Sequence, residues 1–214
     1  MQLKDKSVVV TGGGRGIGKA LCVAFAAEGA RVTVADLNID DATATATQIN
    51  GLAVRCDVTS ESDVIELVAV TEQHFGPVDL FCSNAGIFRG EPDHSASASN
   101  DDWKACWDVH VMAHVFAARA VLPSMIERGS GYFVQMASAA GLLSQIGDAA
   151  YSTTKHAAVG FAESLSITHG DDGIKVSVIC PQYVATPMLG YNESDSVAEL
   201  PGVITPDQVA QAVV

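Results

Sequence analysis

The sequence predicts an α/β protein with three layers, in which helices cover both faces of a doubly wound parallel sheet. Three observations predict this fold. Short β-branched runs alternate with longer stretches of helical periodicity. A glycine-rich loop joins the first strand to the first helix, and polar side chains directly follow several strands. Such alternation gives parallel strands joined by right-handed crossovers.

Length and composition indicate one domain that spans residues 1–214. Apolar residues make up 48% of the chain and its mean hydropathy is +0.24, so a large buried core can form. The net charge of −13 excludes nucleic acid and anionic membranes as partners, because both attract basic surfaces. No apolar run approaches the roughly eighteen residues that span a bilayer. The first residues lead directly into a strand, so no secretory signal is expected.

The five cysteines are scattered without C-x-x-C spacing, and four of them lie in apolar surroundings. An odd number argues against a complete disulfide framework. Small buried thiols are typical of a reducing compartment. We therefore expect a cytoplasmic protein, and no metal site is predicted.

The first strand is predicted at 7–11, and a loop with the spacing G-x-x-x-G-x-G follows it. Glycine tolerates positive φ and lets the backbone approach an oxygen closely. The N-terminus of the next helix offers N–H groups and a partial positive charge to a pyrophosphate. The candidate phosphate-binding residues are Gly12, Gly14, Arg15, Gly16, Ile17 and Gly18.

The second strand is predicted at 31–35 and is ended by Asp36, about twenty residues after the glycines. A carboxylate there can accept hydrogen bonds from both ribose hydroxyls of an adenosine, and it repels a 2′-phosphate. Arg15 instead favours NADP, since a guanidinium in the glycine loop can reach that phosphate. Because the repulsion by Asp36 acts at the ribose itself, the sequence favours NAD over NADP. The alternative role of Asp36 is a strand-end cap for the next turn.

The alternation then continues to a fourth strand. The elements are a polar helix at 41–50, a strand at 51–56, a helix capped by Ser60, and a strand at 77–82. Asp57 and Val58 follow the third strand, and Asn84, Ala85 and Gly86 follow the fourth. An asparagine at such a strand end can brace the backbone beside a bound cofactor.

The second half of the chain repeats the pattern. Its elements are a polar loop at 88–100, a helix from Asp101 to about Glu127, a strand at 131–137, a helix at about 149–168, a strand at 174–180, and a loose segment that ends at Pro201-Gly202. Pro123 is expected to bend the long helix or to begin a second segment. Thr205 and Pro206 are predicted as the N-cap and first residue of a final helix.

Tyr151 and Lys155 are four residues apart and lie on one face of their predicted helix. An ammonium one turn from a phenol favours the phenolate and lowers the pKa of the tyrosine. Tyr151 can then exchange a proton near neutral pH. Ser138 follows the strand at 131–137, and its hydroxyl can bind the same substrate oxygen. Alone this spacing is weak evidence for a catalytic site, because a solvated helix face with a half-buried tyrosine has the same spacing.

The position of these residues in the fold strengthens the prediction. In doubly wound sheets, ligands bind outside the carboxyl ends of the strands. Five features fall at such ends, namely the glycine loop, Asp36, Asp57, Asn84 and Ser138. Their convergence predicts one site at one edge of the sheet.

Together these residues resemble the short-chain dehydrogenase/reductase family, from about Ser7 to the last residue. The resemblance rests on the run Thr11–Gly18, Asp57-Val58, Asn84-Ala85-Gly86, Ser138 thirteen residues before Tyr151, Tyr151-x-x-x-Lys155, and the segment from Pro181 to Met188. It implies a Rossmann fold and a nicotinamide cofactor.

The resemblance also implies roles for single residues. Tyr151 would donate and accept the proton, Lys155 would lower the tyrosine pKa and hold the nicotinamide ribose, and Ser138 would orient the substrate oxygen. The remaining cofactor contacts would come from Asp57, Val58, Asn84, Ala85, Gly86, Pro181, Val184 and Thr186.

Three features depart from the family pattern. His110 stands where the family has an asparagine that helps link the lysine, through water, to solvent. It either relays protons, since histidine changes charge more readily, or is a spacer in a still-active site. Gln182 replaces a glycine, and it either contacts the substrate or only alters the turn. The chain also ends before the usual C-terminal strand, so either it is truncated or part of the usual core and subunit interface is missing.

The predicted pocket is mostly apolar, with Arg89 as its one arginine. Substrate contacts are expected from Ser138, Ala140, Gln145, Tyr151, Gln182 and Met188, with further candidates at Phe88, Ala139, Ile146, Tyr183, Leu189 and Tyr191. A neutral, lipophilic secondary alcohol or ketone fits this lining. The alternatives are an NADPH-dependent carbonyl reductase and a non-catalytic, nucleotide-sensing relative. The resemblance implies a homodimer or homotetramer whose surfaces include the helices around His110 and Tyr151.

Overall fold

The computed structural model describes residues 2–191 and 201–214. Its central sheet has six parallel strands in the order β3-β2-β1-β4-β5-β6. The strands are β1 Ser7–Thr11, β2 Arg31–Asp36, β3 Leu52–Arg55, β4 Leu80–Ser83, β5 Gly131–Met136 and β6 Ile174–Ile179. The strand order reverses between β1 and β4, so the crossover helices lie on both faces. The predicted three-layer, doubly wound sheet is confirmed, with the strand order of a Rossmann fold.

Seven α-helices accompany these strands in the part of the chain that the structure describes. They are α1 Gly16–Ala27, α2 Ile39–Ile49, α3 Glu61–Phe75, α4 Asn100–Trp107, α5 Ala113–Glu127, α6 Ala149–His169 and α7 Pro206–Gln211. Short 3₁₀ turns occupy Ala139–Gly141 and Pro187–Leu189. Two-residue strands β7, Tyr183–Val184, and β8, Val203–Ile204, form a separate parallel pair that the sequence did not predict.

The sheet separates two hydrophobic cores because successive side chains of a strand point to opposite faces. Val8 and Val10 pack against α1, α2 and α7, whereas Val9 packs against α3, α5 and α6. Strands buried on both faces are continuous apolar runs, as is typical of parallel sheets. All five cysteines are free and four are buried, in agreement with the expectation from sequence.

Two helix caps appear as predicted. Ser60 caps α3 by accepting a hydrogen bond from the backbone N–H of Asp63. Thr205 and Gln208 form a reciprocal capping box at the start of α7, where Pro206 is the first helical residue. Each such cap stabilises its helix by about 1 kcal/mol. Of the loose segment predicted before α7, residues 192–200 lie outside the described part of the chain.

The long fourth helix changes pitch at His110 rather than at Pro123. A π-helical turn at Asp108–Met112 joins α4 to α5, and α5 continues through Pro123, so no second segment begins there. By length and composition alone, the run Asn100–Glu127 would qualify to cross a membrane, with a mean hydropathy of 1.4 in its best window. Its α5 portion packs into the core with α3, as a core helix does.

Candidate active site

The glycine loop is built for close contact with an anion. Gly12 has φ +63° and Gly16 has φ +53°, a region that favours glycine. A Cβ on Gly18 would lie 2.0 Å from the carbonyl oxygen of Gly12, so no larger residue fits without movement. Helix α1 begins here with no side-chain cap and no acidic residue in its first turn. Its N-terminal N–H groups and partial positive charge therefore suit the pyrophosphate of a dinucleotide.

Asn84 braces this loop from the end of β4. Its side-chain amide donates to the carbonyl oxygens of Thr11 and Gly12, at 2.9 and 3.3 Å. The Thr11 hydroxyl in turn accepts the backbone N–H groups of Asn84 and Ala85, at 3.0 and 3.2 Å. The two strand ends are thus locked together. Sequence reasoning gave Thr11 no role, although a threonine at the end of the first strand was a visible signal.

Asp36 lies directly beside the glycine loop. Its Oδ2 accepts the backbone N–H of Gly14 at 2.9 Å, and its Oδ1 accepts the backbone N–H of Asn38 at 3.0 Å. Two backbone donors fix the carboxylate in one orientation. Arg15 pairs with Asp41, with 3.2 Å between its Nε and the Oδ2 of that aspartate.

Asp57 and Val58 stand at the predicted edge of the sheet, after β3. The Asp57 carboxylate accepts hydrogen bonds from the backbone and the hydroxyl of Thr59, at 2.9 and 2.7 Å. Its own backbone N–H donates to Asp63 at 3.1 Å. These bonds hold the turn that presents Asp57 and Val58, and their contact with an adenine stays a prediction.

Helix α6 places Tyr151 and Lys155 one turn apart, with Lys155 only 3% exposed. The Lys155 Nζ donates to the carbonyl oxygen of Met136 at 3.0 Å and lies 5.6 Å from the centre of the Tyr151 ring. Burial lowers the pKa of Lys155 to about 8, so its ammonium form still dominates at neutral pH. Ser138 is also buried, and its interaction with Tyr151 lowers the pKa of that phenol.

The pKa of Tyr151 is raised rather than lowered. Burial disfavours the phenolate, and the hydrogen bond from Ser138 only partly offsets this effect. The expectation that Lys155 brings this pKa toward neutrality is therefore wrong for the protein by itself.

Aromatic rings flank Tyr151 on two sides. The ring of Phe88 meets it edge to face with centroids 5.7 Å apart, and the ring of His110 does so at 5.2 Å. Such contacts fix the orientation of the phenol. Phe88 comes from the loop before α4, which Glu91 anchors by accepting the backbone N–H of Ala149 at 2.9 Å. Sequence reasoning missed Glu91, because its partner lies 58 residues away.

His110 is fully buried in the π-helical turn. Its Nε2 accepts the backbone N–H of Ile87 at 3.1 Å, so the ring proton is on Nδ1, which faces the Thr154 hydroxyl at 2.9 Å. The Thr154 hydroxyl in turn donates a hydrogen bond to the carbonyl oxygen of Ala150 at 2.8 Å. Burial and the charge of Lys155 lower the pKa of His110 to about 2.

Of the two alternatives left open for His110, a group that changes charge or a spacer, the lowered pKa and these contacts favour the spacer. Its two nitrogens are both engaged, and the ring joins the strand end at Ile87 to the helix that carries Tyr151. Thr154 was missed in the sequence, although it lies inside the Tyr151–Lys155 motif. In this arrangement His110 positions the site as a neutral group.

Stability is expected to fall as the pH drops below about 6.5, the ordinary histidine pKa. Burial lowers the pKa of His110 to about 2 and that of His114 to about 3. Below pH 6.5 these two histidines are protonated in the unfolded chain but stay neutral in the folded chain. Two such groups give a slope of about 2.7 kcal/mol per pH unit, and their full stabilisation is present above pH 6.5.

Denaturant unfolding of His114→Leu at several pH values checks this expectation. His114 is buried and its Nδ1 has no partner among the described residues, so leucine loses no hydrogen bond there. The slope between pH 6 and 4.5 should fall by about half of the two-histidine contribution. His74→Leu, at an exposed position, is the control and should leave it unchanged. An unchanged slope in the His114 variant would contradict the assignment.

The loops after β5 and β6 border the same site. The Ser138 hydroxyl accepts the backbone N–H of Ala140 at 3.2 Å, and the Ala139 N–H donates to the carbonyl oxygen of Pro181 at 2.9 Å. Thr186 packs beside the glycine loop, within 3.3 Å of a Cβ built on Gly16. Of the other predicted contacts, Ala140 and Val184 are buried, whereas Gln145, Gln182 and Met188 are exposed.

Fold and site together define a class of protein. A glycine loop at the switch point of a doubly wound sheet, beside a buried serine and lysine and a partly buried tyrosine, is the arrangement of a dinucleotide-dependent oxidoreductase. Among the described residues, no cluster of three or more histidine, cysteine or acidic side chains is placed to hold a metal.

The chain belongs to the short-chain dehydrogenase family, which it matches over residues 6–196, and it is an oxidoreductase acting on CH–OH groups. It is 38% identical over 191 residues to a 2,5-dichloro-2,5-cyclohexadiene-1,4-diol dehydrogenase of Sphingobium indicum, covering 87% of this chain and 76% of that one.

Two solved structures are similar throughout. A 3-ketoacyl-(acyl-carrier-protein) reductase of Brucella melitensis, complexed with NADH, has a TM-score of 0.90 at 27% identity, covering 99% of this chain and 90% of that one. A short-chain dehydrogenase/reductase of Burkholderia phymatum in complex with NAD has a TM-score of 0.89 at 26% identity, covering 100% and 85%. Both of these neighbours were crystallised with a nicotinamide cofactor, which supports such a cofactor for this chain.

Proposed function

We propose that this protein is an NAD-dependent dehydrogenase that interconverts a secondary alcohol and a ketone on a neutral, lipophilic substrate. One observation carries the proposal: Tyr151 lies beside the buried Lys155, at the sheet edge that also bears the buried Ser138, the glycine loop and Asp36. A proton-transfer group thus stands next to a dinucleotide cradle.

The residues divide the chemistry between them. Ser138 holds the substrate oxygen, and Tyr151 takes the hydroxyl proton during oxidation and returns it during reduction. The Lys155 ammonium offers donors to a ribose hydroxyl of the cofactor. His110 and Phe88 hold the phenol in place from either side. NAD, when bound, supplies the hydride acceptor.

Asp36 supports the choice of NAD over NADP. Two backbone N–H donors hold its carboxylate beside Gly14, where a 2′-phosphate would meet a fixed negative charge. The Brucella and Burkholderia relatives were crystallised with NADH and NAD. A preference for NADP would require the Arg15 guanidinium to bind the 2′-phosphate, but that guanidinium pairs with Asp41.

The rim of the site supports a lipophilic substrate. The loop after Ser138 exposes Leu143 and Ile146 by 74% and 101%, and the segment after β6 exposes Tyr183 and Met188 by 46% each. Exposed apolar side chains on two loops that follow neighbouring strands indicate a binding surface. Arg89, the one arginine expected near the pocket, pairs with Asp102 at 3.4 Å, so no arginine clamp for an acid is offered there.

Ile146→Ser is expected to raise KM for a lipophilic alcohol about tenfold with little change in kcat, since a buried isoleucine contributes roughly 1.5–3 kcal/mol. Steady-state kinetics measure this. Ile65→Ser is the matched control, because Ile65 is 56% exposed and lies on α3, which carries none of the predicted substrate contacts. Equal KM values for all three proteins would argue against an apolar substrate at this rim.

Turnover of an alcohol panel with NAD⁺, followed by the absorbance of NADH, tests the function itself. The panel should pair cyclic and long-chain secondary alcohols with short hydroxy acids of similar reactivity. Activity on the apolar members supports the proposal. Turnover of only small charged hydroxy acids would contradict the substrate class, and a clear preference for NADP⁺ would contradict the cofactor.

We also infer a cytoplasmic homodimer or homotetramer that associates through the long helices. Trp107 of α4 and Ile167 of α6 are 44% and 85% exposed, which leaves apolar side chains on the outer side of that layer. Light scattering of the purified protein measures the assembly, and a monomer at micromolar concentration would contradict it.

A further inference from the structure

A chain of polar contacts connects Asp36 to Arg15 around the first turn of α2. Asp36 accepts the backbone N–H of Asn38 at 3.0 Å, and the Asn38 amide donates to the Asp41 Oδ2 at 3.0 Å. The same Asp41 oxygen lies 3.2 Å from the Nε of Arg15. Because Arg15 follows Gly14, whose N–H binds Asp36, the contacts close into a ring.

Packing holds this ring against the glycine loop. A Cβ built on Gly14 would lie 2.6 Å from the Cβ of Asp41 and 2.9 Å from the Oδ2 of Asp36. The Thr45 hydroxyl, one turn further along α2, donates to the carbonyl oxygen of Gly14 at 3.3 Å. The two carboxylates therefore stand side by side next to Gly14, on the side where Asp36 would meet the adenosine ribose.

The start of α2 is an unfavourable place for a phosphate in this chain. A helix N-terminus normally attracts anions, but Asn38 caps α2 and Asp40 and Asp41 occupy its first turn. A cleft of about 400 Å³ borders this turn, and Arg15, Asp41 and Thr45 are among the residues that line it. A 2′-phosphate would fit the cleft by size. The Arg15 guanidinium that lines the cleft, however, is already paired with the Asp41 carboxylate.

We propose that Asp41 is a second determinant of NAD specificity, which acts by pairing with Arg15 so that the guanidinium does not bind a 2′-phosphate. Asp36 repels the phosphate directly, and Asp41 withholds the cation that would bind it. This inference rests on the proposed function, because it concerns the same dinucleotide site. It also explains how an arginine in the glycine loop is compatible with a preference for NAD.

Calorimetric titration of NAD⁺ and NADP⁺ into four variants tests the proposal. In Asp36→Asn, removal of the direct repulsion should allow weak NADP⁺ binding. Adding Asp41→Asn should tighten NADP⁺ binding a further tenfold or so, about the value of one charge-assisted bond to phosphate, and change NAD⁺ affinity less than twofold. Adding Arg15→Gln to that pair should abolish the gain. A structural effect of Asp41 would not depend on Arg15.

Asp36→Asn with Asp40→Asn is the matched control. It removes the same charge from the same helical turn, but Asp40 meets Asn38 through its backbone N–H, not its carboxylate. Equal gains from Asp40→Asn and Asp41→Asn, or a gain that survives Arg15→Gln, would overturn the inference while leaving NAD binding intact. Failure of the wild-type protein to bind either dinucleotide would overturn the proposed function and this inference with it.

Discussion

Replacing Tyr151 by phenylalanine is expected to lower kcat by about 10²–10⁴-fold, the usual contribution of a positioned acid–base group. The substitution removes one oxygen, and the ring keeps its edge contacts with Phe88 and His110. Because the proposed role of the phenol is at the substrate oxygen rather than at the glycine loop, NAD binding should change less than about threefold. Steady-state kinetics and calorimetry measure the two quantities separately.

Tyr183→Phe is the control for Tyr151→Phe. It makes the same chemical change at a half-exposed tyrosine of the rim, and kcat should stay within about twofold. Unchanged activity in Tyr151→Phe would favour a nucleotide-binding protein without catalysis at this site. Loss of activity together with loss of NAD binding would instead indicate damage to the dinucleotide cradle.

Gly18→Ala is expected to weaken NAD binding by at least tenfold and to lower the free energy of unfolding by about 1–3 kcal/mol. The new Cβ would lie 2.0 Å from the carbonyl oxygen of Gly12 and 2.6 Å from the Asn84 amide nitrogen. One of these partners must move, and Asn84 is the brace that shapes the loop. Calorimetry with NAD⁺ and denaturant unfolding measure both effects.

The same substitution elsewhere gives the control. Gly160 lies in α6, and a Cβ built on it meets nothing within 4 Å. Gly160→Ala should leave NAD binding unchanged and raise stability by up to about 1 kcal/mol, since alanine favours a helix. Tight NAD binding in Gly18→Ala would show that the dinucleotide does not lie on this loop.

The strand–loop–helix pattern was sufficient to predict the fold. Continuous β-branched runs such as Ser7–Thr11 are stable only when buried on both faces, and the segments between them are long enough to cross over. Parallel strands end at one edge, so the polar residues after each strand were bound to meet there. The predicted caps at Ser60 and Thr205 also hold, because capping depends on neighbours within one turn.

The errors have a common origin in long-range contacts. The lowered pKa of Tyr151 was inferred from residue type and spacing, and the choice between two roles for His110 stayed open, whereas burial decides both. The helix changes pitch at His110 and not at Pro123 for a similar reason. The π-helical turn lies where the ring nitrogens of His110 reach Ile87 and Thr154, which are 23 and 44 residues away in the chain.

The sequence by itself determined the doubly wound sheet, the order of its elements and the edge at which Ser138, Tyr151, Lys155 and Asp36 gather. These follow from periodicities and turns that act over a few residues. Only the tertiary structure decided that His110 is neutral and that Asp41 holds Arg15. Desolvation and ion pairing depend on what surrounds a group in space, and neighbours in space come from distant parts of the chain.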